Sequence, residues 1–326
     1  MPEGHSLHRL ARQFDDVFGG QVVHVSSPQG RFASDAARID GYELEVAFAK
    51  GKQLFCRFSN DLYLRVHLGL YGAFSFGGDE HFSGASSIGA PRKIGETETR
   101  SEVCARQYLG PPEPVGAVRA RIVSEHGWAD LRGPTACEVL EYPQVQKHLN
   151  NLGPDPLARA ANEFRATKSA EALLDSDTVL ASGYSEFREN LSKTKTPIAV
   201  ALMNQSLISG VGNIYRAESL FRNRIAPELP ANQLSSQKAR KLWYDIVAIM
   251  EDGVRDGKII TTYPEDRQAG IPLWPDNAYY VYQRQGLGCR RCSGNIALTE
   301  VAARKLYWCP RCQKMPRKNL AQYWTT

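Results

Sequence analysis

Two places in this chain hold residues whose types and spacing can do chemistry, and they lie at opposite ends. The chain opens Met1-Pro2-Glu3-Gly4. A small second residue permits removal of Met1, which leaves Pro2 as a secondary amine at the terminus. Such an α-amino group titrates near ~8, against ~10.4 for lysine, so far more of it is unprotonated at neutral pH. A helix starting here lowers that value through its dipole, while Glu3 acts in the opposite sense. Attack by a secondary amine on a sugar C1′ gives a cationic iminium that acidifies the adjacent C2′–H. Loss of a base and cleavage of the strand then belong to one mechanism. The reaction also needs a proton donor for the ring oxygen or the departing base, and Glu3 is adjacent; burial would keep such an acid protonated. Without further context, Met-Pro followed by an acid is equally an ordinary chain start and helix cap.

Near the other end, Cys289-x2-Cys292 and Cys309-x2-Cys312 are separated by sixteen residues. Each CxxC aims two sulfurs at one point, and four thiolates fill the tetrahedron of one Zn²⁺. With no position left for water, this zinc is expected to hold structure and to perform no hydrolysis. A tail of fewer than about 50 residues cannot fold on its own apolar burial. The metal is therefore expected to fix a small β-hairpin carrying Arg304 and Lys305. A zinc ribbon of this kind suits nucleic-acid or protein partners and by itself establishes no enzyme. Cys56, Cys104 and Cys137 are scattered, and an odd total of seven cysteines argues against a disulfide framework.

A third stretch lies between. Lys193 to Gln205 (KTKTPIAVALMNQ) predicts a helix with Thr196 as cap and Pro197 at the first helical position. In LISGVGNIYRAE, from Leu207 to Glu218, Gly210 and Gly212 permit a turn before a second helix that starts at Asn213. Amides at such a start, with the helix dipole, bind phosphate, and Lys193 and Lys195 are close in sequence. The same pattern also describes a plain packing hairpin of two helices.

The elements that must position these groups follow from periodicity. Leu7, Leu10, Ala11, Phe14, Val17 and Phe18 recur at helical spacing until Gly19 and Gly20, so Pro2 to Phe18 predicts a helix. Strands are predicted at 21–26, 42–48, 53–58, 62–67, 103–109, 118–124 and 128–131, with a Gly- and Ser-rich surface loop from Gly77 to about Arg100. A chain of 326 residues implies two or three domains. The boundaries read as a β domain over 1–141, a connector over 142–157 containing NLGPDPL, a helical domain over 158–280 and the cysteine module over 281–326. From Val281 onward nine cations face the single acid Glu300, a net +8 within a chain of +5. Such a basic module suggests a polyanion, nucleic acid before membrane. No apolar run is long enough to span a bilayer, and the start lacks a secretory pattern, so a cytoplasmic place is expected.

Taken together, these motifs resemble the Fpg/Nei family of bifunctional DNA glycosylases over nearly the whole chain. The opening Pro2-Glu3-Gly4 is similar to the Nei (endonuclease VIII) version of the start. Gly51-Lys52 before a strand resembles the family's β-turn lysine, Lys193–Glu218 its helix–two-turns–helix (H2TH) element, and Arg304 the arginine of its zinc-finger hairpin. The resemblance implies an α+β multidomain fold: an N-terminal β-sandwich with an N-terminal helix, a helical H2TH domain and a C-terminal zinc-finger β-hairpin, with DNA bound in the cleft between. It implies Pro2 as Schiff-base nucleophile, Glu3 as general acid and Lys52 as a catalytic, DNA-contacting residue. Asn213 and Arg304 would grip phosphates with Lys52. The stretch His67 to Gly72 aligns with the family's void-filling loop, so His67, Leu70 and Tyr71 are expected at DNA, where an apolar wedge and an aromatic plate replace an everted base. Leu70 and Tyr71 also suit a packing pair at a strand end. Two positions depart from the family: Ser6, preceded by His5, stands where a glutamate is frequent, and Gly69 stands where a polar residue can meet the orphaned base. A surface position is expected for His5.

The expectation is a bifunctional glycosylase and abasic-site lyase of base excision repair, favouring oxidised pyrimidines and cleaving by β/δ elimination. It would act on damaged DNA as a monomer with one structural Zn²⁺, in the cytoplasm with the nucleoid and without a membrane. The alternatives are an Fpg-like preference for oxidised purines, which the Met-Pro-Glu-Gly start disfavours, and a non-catalytic zinc-finger DNA-binding protein, which would require no N-terminal amine.

Overall fold

The computed structural model describes residues 2–80, 82–90, 110–166 and 176–316, and the chain divides into two compact units, Met1–Asn151 and Leu152–Thr326. The strand expected at 103–109, residues 81 and 91–100 of the loop expected up to Arg100, Cys104, Arg317 and Lys318 lie outside the described residues.

In the first unit, helix α1 (Gly4–Phe18) buries Leu7, Leu10, Phe14 and Phe18, the stripe its spacing predicts. The strands that follow are β1 (Gln21–Ser26), β2 (Tyr42–Lys50), β3 (Gln53–Phe58), β4 (Leu62–His67), β5 (Ala73–Gly78), β6 (Ser87–Gly89), β7 (Val118–Val123), β8 (Gly127–Arg132) and β9 (Ala136–Glu141), with a short α2 (Ala33–Ala36) after β1. All pair antiparallel, in the order β6-β5-β8-β7-β1-β2-β3-β4-β9. Strand β1 joins two sheets: Gln21–Val23 pair with β2, and His24–Ser26 pair with β7. One core takes Leu54, Cys56 and Val66 from one sheet and Phe74, Ile122 and Leu131 from the other, together with Leu10 and Phe14 of α1. The two sheets therefore form the expected sandwich, with alternate residues such as Leu54, Cys56 and Phe58 of β3 in its core.

Two details differ from the sequence reading. The segment after Gly77 is not all loop, because Ser87–Gly89 forms β6 against β5. Residues 142–150 form helix α3 (Tyr142–Asn150), whose Val145 packs with Phe55, Tyr63 and Leu140 on the other face of the sheet. Its start is set by a reciprocal capping box between Glu141 and Gln144, with Pro143 in the first turn, a signal that the connector reading passed over.

The second unit contains α4 (Ala158–Ala166), α5 (Ser176–Ser192), α6 (Ile198–Ala201), α7 (Asn213–Arg222) and α8 (Ser236–Asp256), followed by the hairpin β10 (Ala297–Val301) and β11 (Arg304–Trp308). Helix α8 is capped at both ends, by the Ser235 hydroxyl accepting from Lys238 N and by left-handed Gly257. Trp243 and Phe187 centre its core, their rings 5.3 Å apart. The helix expected from Lys193 to Gln205 is only one turn long. The Thr196 carbonyl accepts from Ala231 N and that of Thr194 from Asn232 N. This extended pairing delays the helix, so Pro197, not Thr196, occupies the N-cap, and the Thr196 hydroxyl meets Thr194 Oγ1 at 2.8 Å. The cysteine module is no separate body. Ile296, Tyr307, Cys289 and Cys309 share a core with Ala217 and Phe221 of α7.

Candidate functional site

The chemistry-bearing residues of the first unit gather at three places. At the start of α1, Pro2 and Glu3 are both buried. Glu3 is the N-cap, with extended backbone (φ −122°, ψ −176°), yet its carboxyl makes no capping bond. His5 is also buried, contrary to the surface position expected, because Gly4 to His8 are all covered in the first turn. Its Nε2 lies 3.3 Å from Ser6 Oγ. Burial, reinforced by Arg9, the chain's N-terminal charge and His8, drives the His5 pKa down to about 3, so its ring is neutral. Sequence gave no sign that the imidazole three residues after Pro2 is buried and neutral.

The second place is the turn joining β2 to β3. Lys50 pairs with Gln53, leaving Gly51 and Lys52 as a two-residue loop. Gly51 has φ 60°, the left-handed value that a tight hairpin demands at its first position. Lys52 is thus fixed by backbone geometry. It lies close enough to His67, the last residue of β4, to help depress that imidazole's pKa; burial contributes most, followed by Arg65 and then Lys52.

The third place is the turn between β4 and β5. Gly72 N donates to Leu68 O and closes a loop that leaves Leu70 45% and Tyr71 81% exposed. Among the described residues Tyr71 is the most exposed large hydrophobic side chain, so the pair is not strand-end packing. Gly69 has φ 67°, and a Cβ there would lie 1.9 Å from Thr135 Oγ1. No side chain fits at this position unless Thr135 moves, which explains the departure seen at Gly69.

In the second unit, Gly212 is the N-cap of α7 and Asn213 its first residue. The Asn213 carboxamide is turned toward the hairpin: its Nδ2 donates to Lys305 O at 3.0 Å, and its Oδ1 accepts from Arg216. Glu218, inside the same quoted motif, is fully buried and accepts from the amides of Tyr280, Val281 and Tyr282, anchoring the segment that leads to Cys289. Lys195 is exposed, and Lys193 pairs with Glu189 at 2.6 Å beside a cavity of about 360 Å³ shared with Asn190, Thr194, Asn204 and Ser206. Arg304 is exposed at the start of β11, directly after a turn of Ala302 and Ala303.

Cys289, Cys292, Cys309 and Cys312 place their sulfurs within 4.8 Å of one another. Two of the separations are 3.9 Å (Cys289 to Cys312) and 3.5 Å (Cys292 to Cys309). A tetrahedral zinc with bonds of ~2.3 Å spaces its sulfurs at about 3.8 Å, so the residues fit one structural Zn²⁺. Bound there, the ion would fix the loops that carry the hairpin. No helix among the described residues is long and apolar enough to cross a membrane.

Three family models match along the chain. Residues 1–105 match the formamidopyrimidine-DNA glycosylase N-terminal domain, residues 176–264 the formamidopyrimidine-DNA glycosylase H2TH domain, and residues 286–314 the zinc finger found in FPG and IleRS. The chain is 40% identical over 316 residues to Endonuclease 8 1 of Mycobacterium tuberculosis, covering 96% of this chain and 100% of that one. It is 27% identical to the formamidopyrimidine-DNA glycosylase of Rhodopseudomonas palustris, with the same coverage. Among solved structures, Lactococcus lactis Fpg in complex with DNA containing an abasic site superposes with a TM-score of 0.66 at 21% identity, covering 96% of this chain and all of that one. Thermus thermophilus MutM (Fpg) gives 0.65 at 24% identity, with 96% and 98% covered. The likeness to solved structures carries the fold, and the full-length identity to Endonuclease 8 1 carries the kinship: this chain belongs to the Fpg/Nei family of DNA glycosylases.

Proposed function

We propose that the chain is a DNA glycosylase and abasic-site lyase of base excision repair that works through Pro2, with oxidised pyrimidines as its preferred lesions. The observation that carries the reading is the state of Glu3. It is wholly buried beside Pro2 and does not spend its carboxyl on capping α1. A buried acid next to the terminal amine is what a proton donor to a departing base requires.

The steps balance as follows. The Pro2 nitrogen forms a bond to C1′ as the glycosidic C1′–N bond breaks; C1′–O4′ then opens, and the departing base and O4′ take up one proton from Glu3 and the one that the amine loses. The resulting iminium withdraws electrons from C2′–H; loss of that proton expels the 3′ phosphate, and a second elimination expels the 5′ phosphate. The neutral His5 adds no positive charge beside an amine that must be unprotonated to attack. Lys52 and His67 meet the backbone at the lesion, and Leu70 and Tyr71 fill the gap that the everted base leaves. On the second unit, Arg304, Lys193 and Lys195 hold phosphates. An anion at the start of α7 would meet its first-turn amides, since the Asn213 carboxamide faces Lys305. The same reading has the protein acting as a monomer on damaged DNA, in the cytoplasm with the nucleoid. Its preference for pyrimidines over purines rests on the Nei-like start and the 40% identity to Endonuclease 8 1.

Borohydride trapping on DNA with an abasic site tests the nucleophile. The native protein is expected to give a covalent adduct, and Pro2→Gly is expected to bind DNA with no adduct and little base release. Trapping that survives in Pro2→Gly, or fails in a native protein with a free Pro2, would overturn the assignment. Glu3→Gln should impair base excision far more than elimination at a pre-formed abasic site.

A further inference from the structure

The side chain of Arg216, in the second unit, is fully buried, an unusual place for a guanidinium. Three of its hydrogen bonds reach different parts of that unit. Nη1 donates to Ala199 O of α6 at 3.3 Å, and Nη2 donates to Lys305 O of β11 at 3.0 Å and also to Asn213 Oδ1. Asn213 Nδ2 donates to the same Lys305 carbonyl at 3.0 Å. One carbonyl of the hairpin thus receives two hydrogen bonds from the first turn of α7, one of them charge-assisted. That carbonyl belongs to the residue next to Arg304.

We infer that Arg216 is a positioning residue: it locks α6, the start of α7 and strand β11 into one arrangement, so that the phosphate-binding helix start and Arg304 address DNA as a unit. Alternatives for holding the hairpin are weaker on physical grounds. Zinc fixes the loops at the base, around Cys289 and Cys309, whereas Arg304 is at the far end of β11, beside the Ala302–Ala303 turn. Leu306, Tyr307 and Val301 seat the hairpin by apolar packing, and directional hydrogen bonds at Lys305 O fix its register beside Arg304. The desolvation cost of burying a guanidinium is offset here by geometry, since its planar fork reaches three acceptors that a lysine could not satisfy together. Because Arg216 would act through Arg304, the inference rests on the proposed phosphate contact of Arg304.

A double-mutant cycle separates this role from a merely structural one. DNA affinity is measured against salt concentration for the zinc-loaded full chain, Arg304→Ala, Arg216→Gln and the double variant, with bound zinc and thermal unfolding recorded for each. Arg304→Ala should lower the salt slope by about 0.9, the value for one phosphate contact. Arg216→Gln should lower it by a similar amount with zinc still bound. Adding Arg304→Ala to Arg216→Gln should then change the slope little. Additive losses would overturn the inference, as would an unchanged slope in Arg216→Gln. No effect of Arg304→Ala in the native background would instead sink the phosphate contact. If Arg216→Gln does not fold, the cycle is run on Arg216→Lys, which keeps the charge but cannot span the three acceptors. It should show partial coupling, and full independence from Arg304 would count against the inference.

Discussion

Two hairpins of this protein each carry a cation at a two-residue turn, and they reach that geometry by different routes. Between β2 and β3 the turn is Gly51-Lys52, and glycine takes the left-handed φ of 60° without a steric penalty. Between β10 and β11 the turn is Ala302-Ala303, and both alanines take left-handed values, 50° and 56°. Such a turn ordinarily uses Asn-Gly, because a Cβ in this region costs about 1–2 kcal/mol per residue. The first hairpin is therefore specified by its own sequence. The second is held against its local preference by restraints outside the turn: the zinc thiolates at its base, the packing of Leu306 and Tyr307 into the unit's cores, and the grip of Asn213 and Arg216 on Lys305 O. A cation set by local backbone geometry is robust, whereas one set by distant restraints depends on all of them.

The largest test of that contrast is removal of the metal. Four-thiolate zinc sites contribute about 10–16 kcal/mol of apparent folding free energy in isolated fingers. Chelation should abolish hydrogen-exchange protection in 297–308 and weaken DNA binding by more than Arg304→Ala does. Protection in 42–58 should be unchanged. Loss of both together would show that the hairpins are not independently supported.

A second test uses acid on the first unit. His5 has its pKa held at about 3, against 6.5 unfolded, so the fold favours the neutral ring. Above pH 6.5 both states are neutral and nothing changes. Between about 6.5 and 3 the unfolded chain takes up a proton that the folded one refuses, so stability falls, by up to about 5 kcal/mol once both are protonated. Exchange from β2 to β4 should report it. In His5→Asn this acid limb should flatten, and a limb identical to the native one would remove His5 as its origin. Second-unit amides will also respond to acid, through protonation of thiolates, so the reading belongs to first-unit amides alone.

How much of this was legible from residues alone varied with how local the cause was. Helix α1, the strands flanking Gly51-Lys52 and the four-cysteine set follow from spacing, and the structure places all of them where spacing predicts. The shortening of α6 did not, because the pairing of Thr194 and Thr196 with 231–232 is set by chain segments some 35 residues apart. Burial of His5 was hidden for a related reason: one polar residue in a helix's first turn has no period to reveal which way it faces. The engagement of Asn213 and Arg216 with Lys305 crosses about 90 residues. Both residues stood in the motif that drew attention, but what they hold could not be read from it. Gly69 looked like a lost polar contact and is explained by Thr135, whose hydroxyl occupies the space a side chain would need.

The smallest effects come from exchanging the two turns' solutions. Gly51→Ala places a Cβ in the left-handed region and should destabilise the first unit by about 1 kcal/mol. Because Lys52 is the next residue, excision should slow as well, while the fold persists. In the other hairpin the sign should reverse. Ala302→Asn with Ala303→Gly supplies the residues that this turn geometry favours, so the strain is relieved, although glycine's extra freedom in the unfolded chain takes back part of the gain. The net should be a stabilisation below about 1 kcal/mol, read as slower exchange at 300–305 and slower zinc release to a chelator. DNA affinity should hold or rise slightly, since Arg304 keeps its place with fewer restraints required. Destabilisation by both exchanges would mean that the alanine turn is no less suited to its place than the glycine turn, and the contrast between a locally specified and an externally held hairpin would not stand.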